Sequence, residues 1–267
     1  MLHNPPFHID GSSGGNIYGN WNAANYEAAV RCVLTRIRST TSGRALANSI
    51  RHRIEIVPYD FRNRPNQCDA GANIRPPRTV FNVSRAMATD VFAPATPTCA
   101  AIAGQGTGSG SQLQYTPGFF VPGSRLHCID PGPGMAVDEA LYHEIVHAAM
   151  NSAGAATPHP LRGFLQHFQS FDEYTAVIVT NVFSSETGRD LRGSYPGTTP
   201  LHDPAGFYAR NDNAFMIGRV CRLMPVLTRE LARVPCNFNP FREFYRASAG
   251  LTPHSTRANT RGTSLPF

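Results

Sequence analysis

The stretch Leu141-Tyr142-His143-Glu144-Ile145-Val146-His147-Ala148-Ala149 governs how the rest of this 267-residue chain is read. On an α-helix, residues four apart lie on one face, so His143 and His147 can offer two imidazoles to a single metal ion. Glu144 follows the first histidine, where its carboxylate can reach a metal-bound water without being a ligand itself. Two nitrogen donors, a nearby base and an open coordination position are what a zinc hydrolase needs, and the H-E-x-x-H spacing provides them. The bland alternative is a core helix whose histidines merely satisfy hydrogen bonds. That alternative leaves Glu144, flanked by apolar neighbours, needing some other buried partner.

The surroundings favour a helix. Pro131-Gly132-Pro133-Gly134 ends any earlier regular element. Asp138 suits the N-cap and Glu139 the first turn, and nothing breaks a helix before about Ser152. Leu141, Ile145 and Ala148 recur at helical spacing as a buried stripe, while the two histidines share another line.

A catalytic zinc normally takes a third protein ligand. The extended pattern H-E-x-x-H-x-x-G-x-x-H fails, because Met150 and Ala153 stand where Gly and His would be. The ligand must come from further along. Phe171 to Val177 reads as the start of a second helix, and a carboxylate there can face back at the histidines. Glu173 is the choice, Asp172 the neighbouring alternative, and His159 and His167 weaker ones. A further cluster, Ser185 to Tyr195, carries Arg192 and Tyr195, either of which can steady negative charge on a carbonyl oxygen. The competing reading pairs the arginine with Glu186 or Asp190 on a surface turn.

These segments together resemble a family. The helix His143–Ala149, Asp172-Glu173-Tyr174 and the segment from Glu186 to Tyr195 are similar to zinc metallopeptidase effectors that bacteria inject into other cells. That family includes type III effector peptidases and metallopeptidase domains joined to type VI spike proteins. Ile9-Asp10-Gly11, Ala28 to Ile37 and Thr40 to Ala47 are similar to its opening. The resemblance implies His143, His147 and Glu173 as zinc ligands and Glu144 as base, although the family tends to carry a second glutamate where this chain has Asp172. Arg192 and Tyr195 also share the R-x-x-Y spacing of clostridial neurotoxin light chains. The expected fold is α+β, a zincin-like metallopeptidase with a small sheet. The expected activity is zinc-dependent endopeptidase action by a secreted effector or toxin. A zinc hydrolase of cell-wall amides and a non-catalytic zinc-stabilised module are the alternatives.

All 24 basic residues are arginine and lysine is absent. Escape from ubiquitin attachment in a eukaryotic host is one reading, and a GC-rich genome is the other. The net charge of +6 is spread without a dense basic block, which argues against a nucleic-acid partner. No stretch is apolar and long enough to span a membrane, and Met1 to Gly15 lacks a signal-peptide layout. The expected partners are a protein or peptide substrate in a target cell, a secretion machinery and an immunity protein. The expected route is secretion or injection by a dedicated system, into host cytosol or bacterial periplasm.

Six cysteines permit disulfides, Cys68 with Cys99 and Cys221 with Cys236, which would imply an oxidising compartment. Buried free thiols are the other reading. The chain reads as one domain over 1–267, with a flexible loop at about 94–112 and a frayed tail at about 250–267. A helix is expected from Ala23 to about Thr41, with Asn22 near its start and Gly43 just past its end. Strands are expected at Arg53 to Val57, Leu113 to Tyr115 and Phe119 to Val121. Asn213 to Met224 reads as helical, Pro225 interrupts it, and Phe215 belongs to the core stripe.

Overall fold

A computed structural model describes residues 6–12, 22–58, 106–123, 127, 131–157 and 160–250. Within them the fold is α+β, with three short strands and seven α-helices. Strands β1 (Phe7–Ile9), β2 (Ile54–Val57) and β3 (Ser111–Gln114) form a parallel sheet in the order β1-β2-β3. Ile54 stands beside Phe7 on one side and Ser111 on the other, and Ile56 pairs with Leu113. Ile54, Ile56 and Leu113 are fully buried, as expected where one sheet face lies on helices.

Helices α1 (Ala23–Ser39) and α2 (Thr41–Ser49) connect β1 to β2. Asn22 caps α1 through its side chain, and Tyr26, Val30, Val33, Leu34 and Ile37 form its buried stripe. The helix expected to reach about Thr41 ends at Ser39, and a second, unexpected helix starts at once. Thr40 closes α1 with its amide on Ile37 and opens α2 by accepting from the Gly43 amide. Gly43 is past the end of α1, as expected, but it lies inside α2, where the chain doubles back so tightly that a Cβ there would fall 1.8 Å from the Ile37 carbonyl oxygen.

Helix α3 (Val137–Ala153) carries the H-E-x-x-H residues through the middle of the molecule. It packs on β3, α1 and α2, and most extensively on α4 (Phe171–Glu186). Leu141, Ile145 and Ala148 are no more than 1% exposed, so the expected apolar stripe is the core stripe. Burying a leucine or isoleucine stabilises by about 1.5–3 kcal/mol. Tyr142 stacks on Phe183 of α4 with ring centroids 4.5 Å apart, and its hydroxyl donates to the Ser42 carbonyl. At the far end, Asn151 donates to the Ser111 hydroxyl and accepts from the Ser109 amide, fixing α3 to β3.

Three helices complete the fold: α5 (Asn211–Leu223), α6 (Pro225–Leu231) and α7 (Pro240–Ser248). Pro225 begins α6, where a missing N–H costs nothing. Phe215 is 42% exposed on α5 and does not join the core. Pro117–Phe119 form a 3-10 turn, so Phe119 to Val121 is not a strand. Cys221 and Cys236 are both free. Burial pushes the Cys221 thiol up to about 12, and the Cys236 thiol donates to the Phe238 carbonyl. The argument for an oxidising compartment loses that pair; Cys68, Cys99 and Cys128 lie outside the described residues. No described helix is long and apolar enough to cross a membrane.

Candidate metal centre

His143 and His147 fall on the face of α3 that meets the N-terminal end of α4. Ser170 caps α4 by accepting from the Glu173 amide. Ser170-Phe171-Asp172-Glu173 has the spacing of a capping box, in which the glutamate would reach back to the cap amide. Here the Ser170 amide donates to the Phe168 carbonyl instead, and the Glu173 carboxylate points at the histidines.

The donor atoms form a small triangle. His143 Nε2 is 3.1 Å from Glu173 Oε2 and 3.2 Å from His147 Nε2, and His147 Nε2 is 3.4 Å from the same carboxylate oxygen. Metal–ligand bonds of about 2.0–2.2 Å at tetrahedral angles separate donor atoms by about 3.3–3.6 Å. The triangle is therefore close to the size that a first-row metal ion requires, and the three residues form a largely buried group able to hold one.

Electrostatics fit the same use. Burial pulls the pKa of His143 down to about 4, leaving its ring neutral and its lone pair available. Burial also opposes charge on His147, but attraction to Glu173 wins and lifts it to about 9. Burial raises the Glu173 carboxyl, yet the adjoining imidazoles and their hydrogen bonds outweigh it and hold the group well below the usual carboxylate range. The net result is an anion facing two nitrogens.

Asp172, the neighbouring alternative, turns elsewhere: its Oδ1 accepts from the Thr157 amide at 2.6 Å. Burial raises its carboxyl to about 6. His167 stands against Phe168, outside the donor group, and His159 lies outside the described residues.

Arg192 and Tyr195 come to the centre from the loop after α4. The Tyr195 ring stacks on His143 at 5.9 Å and 8°, and the Arg192 guanidinium lies 5.0 Å from the Tyr195 centroid. Arg192 is not a surface residue; it is 5% exposed. Asn181 of α4 grips its backbone twice, accepting from its amide and donating to its carbonyl, each at 2.8 Å. The Arg192 Nε donates to the Gly197 carbonyl. Glu186, one of the partners in the competing surface-turn reading, instead accepts from the Thr41 and Ser42 amides at the start of α2.

Glu144 is buried and shares a cavity with His143, Arg192, Tyr195, Gly134 and Met135. The cavity measures ≈ 10 Å³, about the space one water needs. Gly134 belongs to this wall for a steric reason: φ is +77°, and a Cβ would lie 2.9 Å from Arg192 Cδ. Asn181, Gly134 and Met135 give no sign in the sequence, since their roles depend on which loop folds against them.

At this centre one carboxylate (Glu144) lies beside a three-donor group, and a guanidinium and a phenol border the same space. Such an arrangement is able to hold a metal ion, move a proton and stabilise an oxyanion. No family model, curated protein or solved structure matches the chain.

Proposed function

We propose that this protein is a zinc-dependent endopeptidase with a zincin-like active site, acting as a secreted bacterial effector or toxin on a protein of a target cell. The observation that carries the catalytic part is the His143–His147–Glu173 triangle beside the Glu144 cavity. Two imidazoles and one carboxylate are a donor set that catalytic zinc sites use. The effector part rests on the resemblance of the motif segments and on the absence of lysine.

His143, His147 and Glu173 would hold the zinc ion, which would supply Lewis acidity and lower the pKa of water there to about 7. Glu144 removes a proton from the attacking water as its oxygen bonds to the peptide carbonyl carbon. Glu144 then delivers that proton to the amine nitrogen as the carbon–nitrogen bond breaks. Arg192 and Tyr195 stabilise the negative charge that grows on the carbonyl oxygen.

Glu144→Gln tests the reading. The variant is expected to keep its zinc and lose about a hundred- to ten-thousand-fold in peptide cleavage. A fully active variant would remove Glu144 from the mechanism. Metal content by mass spectrometry on wild type and His143→Ala, purified without chelators, is expected to give one zinc per chain in the first and none in the second. A metal-free wild type would sink the peptidase reading.

A further inference from the structure

Tyr195 has a second face. The same residue that borders the Glu144 cavity also walls a separate cavity of ≈ 620 Å³, well within the range of small-ligand sites. The segment from Gly193 to Asp203 forms one side of this cavity, and the 3-10 helix Gly163–Phe168 forms the other. The Tyr195 amide donates to the His167 carbonyl at 2.8 Å and ties the two sides together. The space is thus built into the fold beside the metal centre.

Its chemistry is selective. Leu165, Phe168 and Phe207 are buried and line the interior, joined by Leu201. Asn213, the buried polar residue of the lining, has both ends engaged: its oxygen accepts from the Tyr174 hydroxyl and its nitrogen donates to the Phe207 carbonyl. The acidic and basic side chains of the lining, His167, His202, Asp203 and Arg210, are all exposed, so none places a buried charge in the interior. A charged substrate side chain entering this space would lose water without a buried counter-charge, whereas a large apolar one gains by its burial.

Resting on the peptidase reading above, we infer that this cavity is the specificity pocket and takes a large apolar side chain, aromatic or long aliphatic, next to the scissile bond. A peptide lying over Tyr195 has a carbonyl on the Arg192–Glu144 side and a neighbouring side chain on the Phe168–Phe207 side. Tyr195 divides the reacting centre from the pocket, and Leu165, Phe168, Leu201 and Phe207 set what enters.

The test uses the full chain loaded with zinc, with Thr199→Trp as the pocket-filling variant; Thr199 lies on the exposed part of the lining, away from the metal donors. Cut positions in a peptide mixture are read by mass spectrometry. Wild type is expected to prefer Phe, Leu or Met over Gly at one position flanking the cut by about ten- to two-hundred-fold in kcat/KM. Thr199→Trp is expected to lose that preference and keep its zinc. In parallel, acetyl-Ala-Phe-Ala-amide and its Asp analogue are titrated onto Glu144→Gln, with and without the Trp substitution. Binding of the Phe peptide alone, abolished by the substitution, is the expected result. Cleavage with no preference, a preference unchanged by the substitution, or equal binding of both peptides overturns the pocket. Selective Phe binding with no cleavage by wild type keeps the pocket and overturns the peptidase reading.

Discussion

Near the start of α3, Asp138 and Glu139 are buried beside Arg189, Ser184 and the Ala136 amide; one to two turns further along α3, His143 and His147 face the half-buried Glu173 of α4. The first group is fully matched. Arg189 holds both Asp138 oxygens at 2.8 and 2.9 Å, while Glu139 accepts from the Ser184 hydroxyl and from the Ala136 amide. In the second, one carboxylate oxygen faces two ring nitrogens that also face each other at 3.2 Å. Two imidazoles and an anion converge on one point, and where the first group has a guanidinium with its own fixed donors, this one has only a proton on His147 that a metal ion can replace. A buried acid met by its own donors is scaffold, and one met by converging lone pairs is a place for a metal.

The contrast can be broken in three ways. Zinc at about a thousand times its dissociation constant should stabilise the folded state by about 4 kcal/mol. A chelator should therefore lower the unfolding midpoint of wild type and leave that of His143→Ala where it is; no effect on wild type would return the histidines to the core. A smaller loss, about 2–3 kcal/mol, is expected in denaturant unfolding for Arg189→Ala, since it strands the buried Asp138 carboxylate. The figure is set below that of a fully buried pair because the Arg189 side chain is 34% exposed. Zinc stoichiometry should not change, and a variant that also lost its metal would show that the two groups are not independent.

The smallest effect is the pH dependence of His147. Its pKa in the metal-free protein is raised to about 9, so the His147–Glu173 attraction is fully present below the ordinary value of 6.5 and fades as pH rises through 9. Zinc needs the neutral ring, so its affinity runs the opposite way. It should rise about tenfold per pH unit between 7 and 9, about 1.4 kcal/mol each. Chelator competition at pH 7 and 8 measures the slope, and a flat profile would exclude a proton held on His147.

What depends on neighbours along the chain is legible from the residues alone. The spacing of His143 and His147, the stripe of Leu141, Ile145 and Ala148, the Asn22 cap and the interruption at Pro225 all follow from helix geometry and backbone chemistry within a few residues. At the N-terminus of α3 local chemistry misleads: Asp138 has the composition of a cap, but Ala136 holds that position and Asp138 serves Arg189 from across the α3–α4 contact. The choice between Asp172 and Glu173 rests on helix packing. Adjacent helical residues point about 100° apart, and which of them meets α3 depends on how the two helices cross. The same holds for Arg192, whose burial is set by Asn181 and the Gly134 loop, and for Phe215, which has the right period for the core yet is 42% exposed among the described residues. Local physics placed two donors on one helix; the packing of a second helix and one loop against that face supplied the third donor and the guanidinium, because their distances depend on chain segments far apart in sequence.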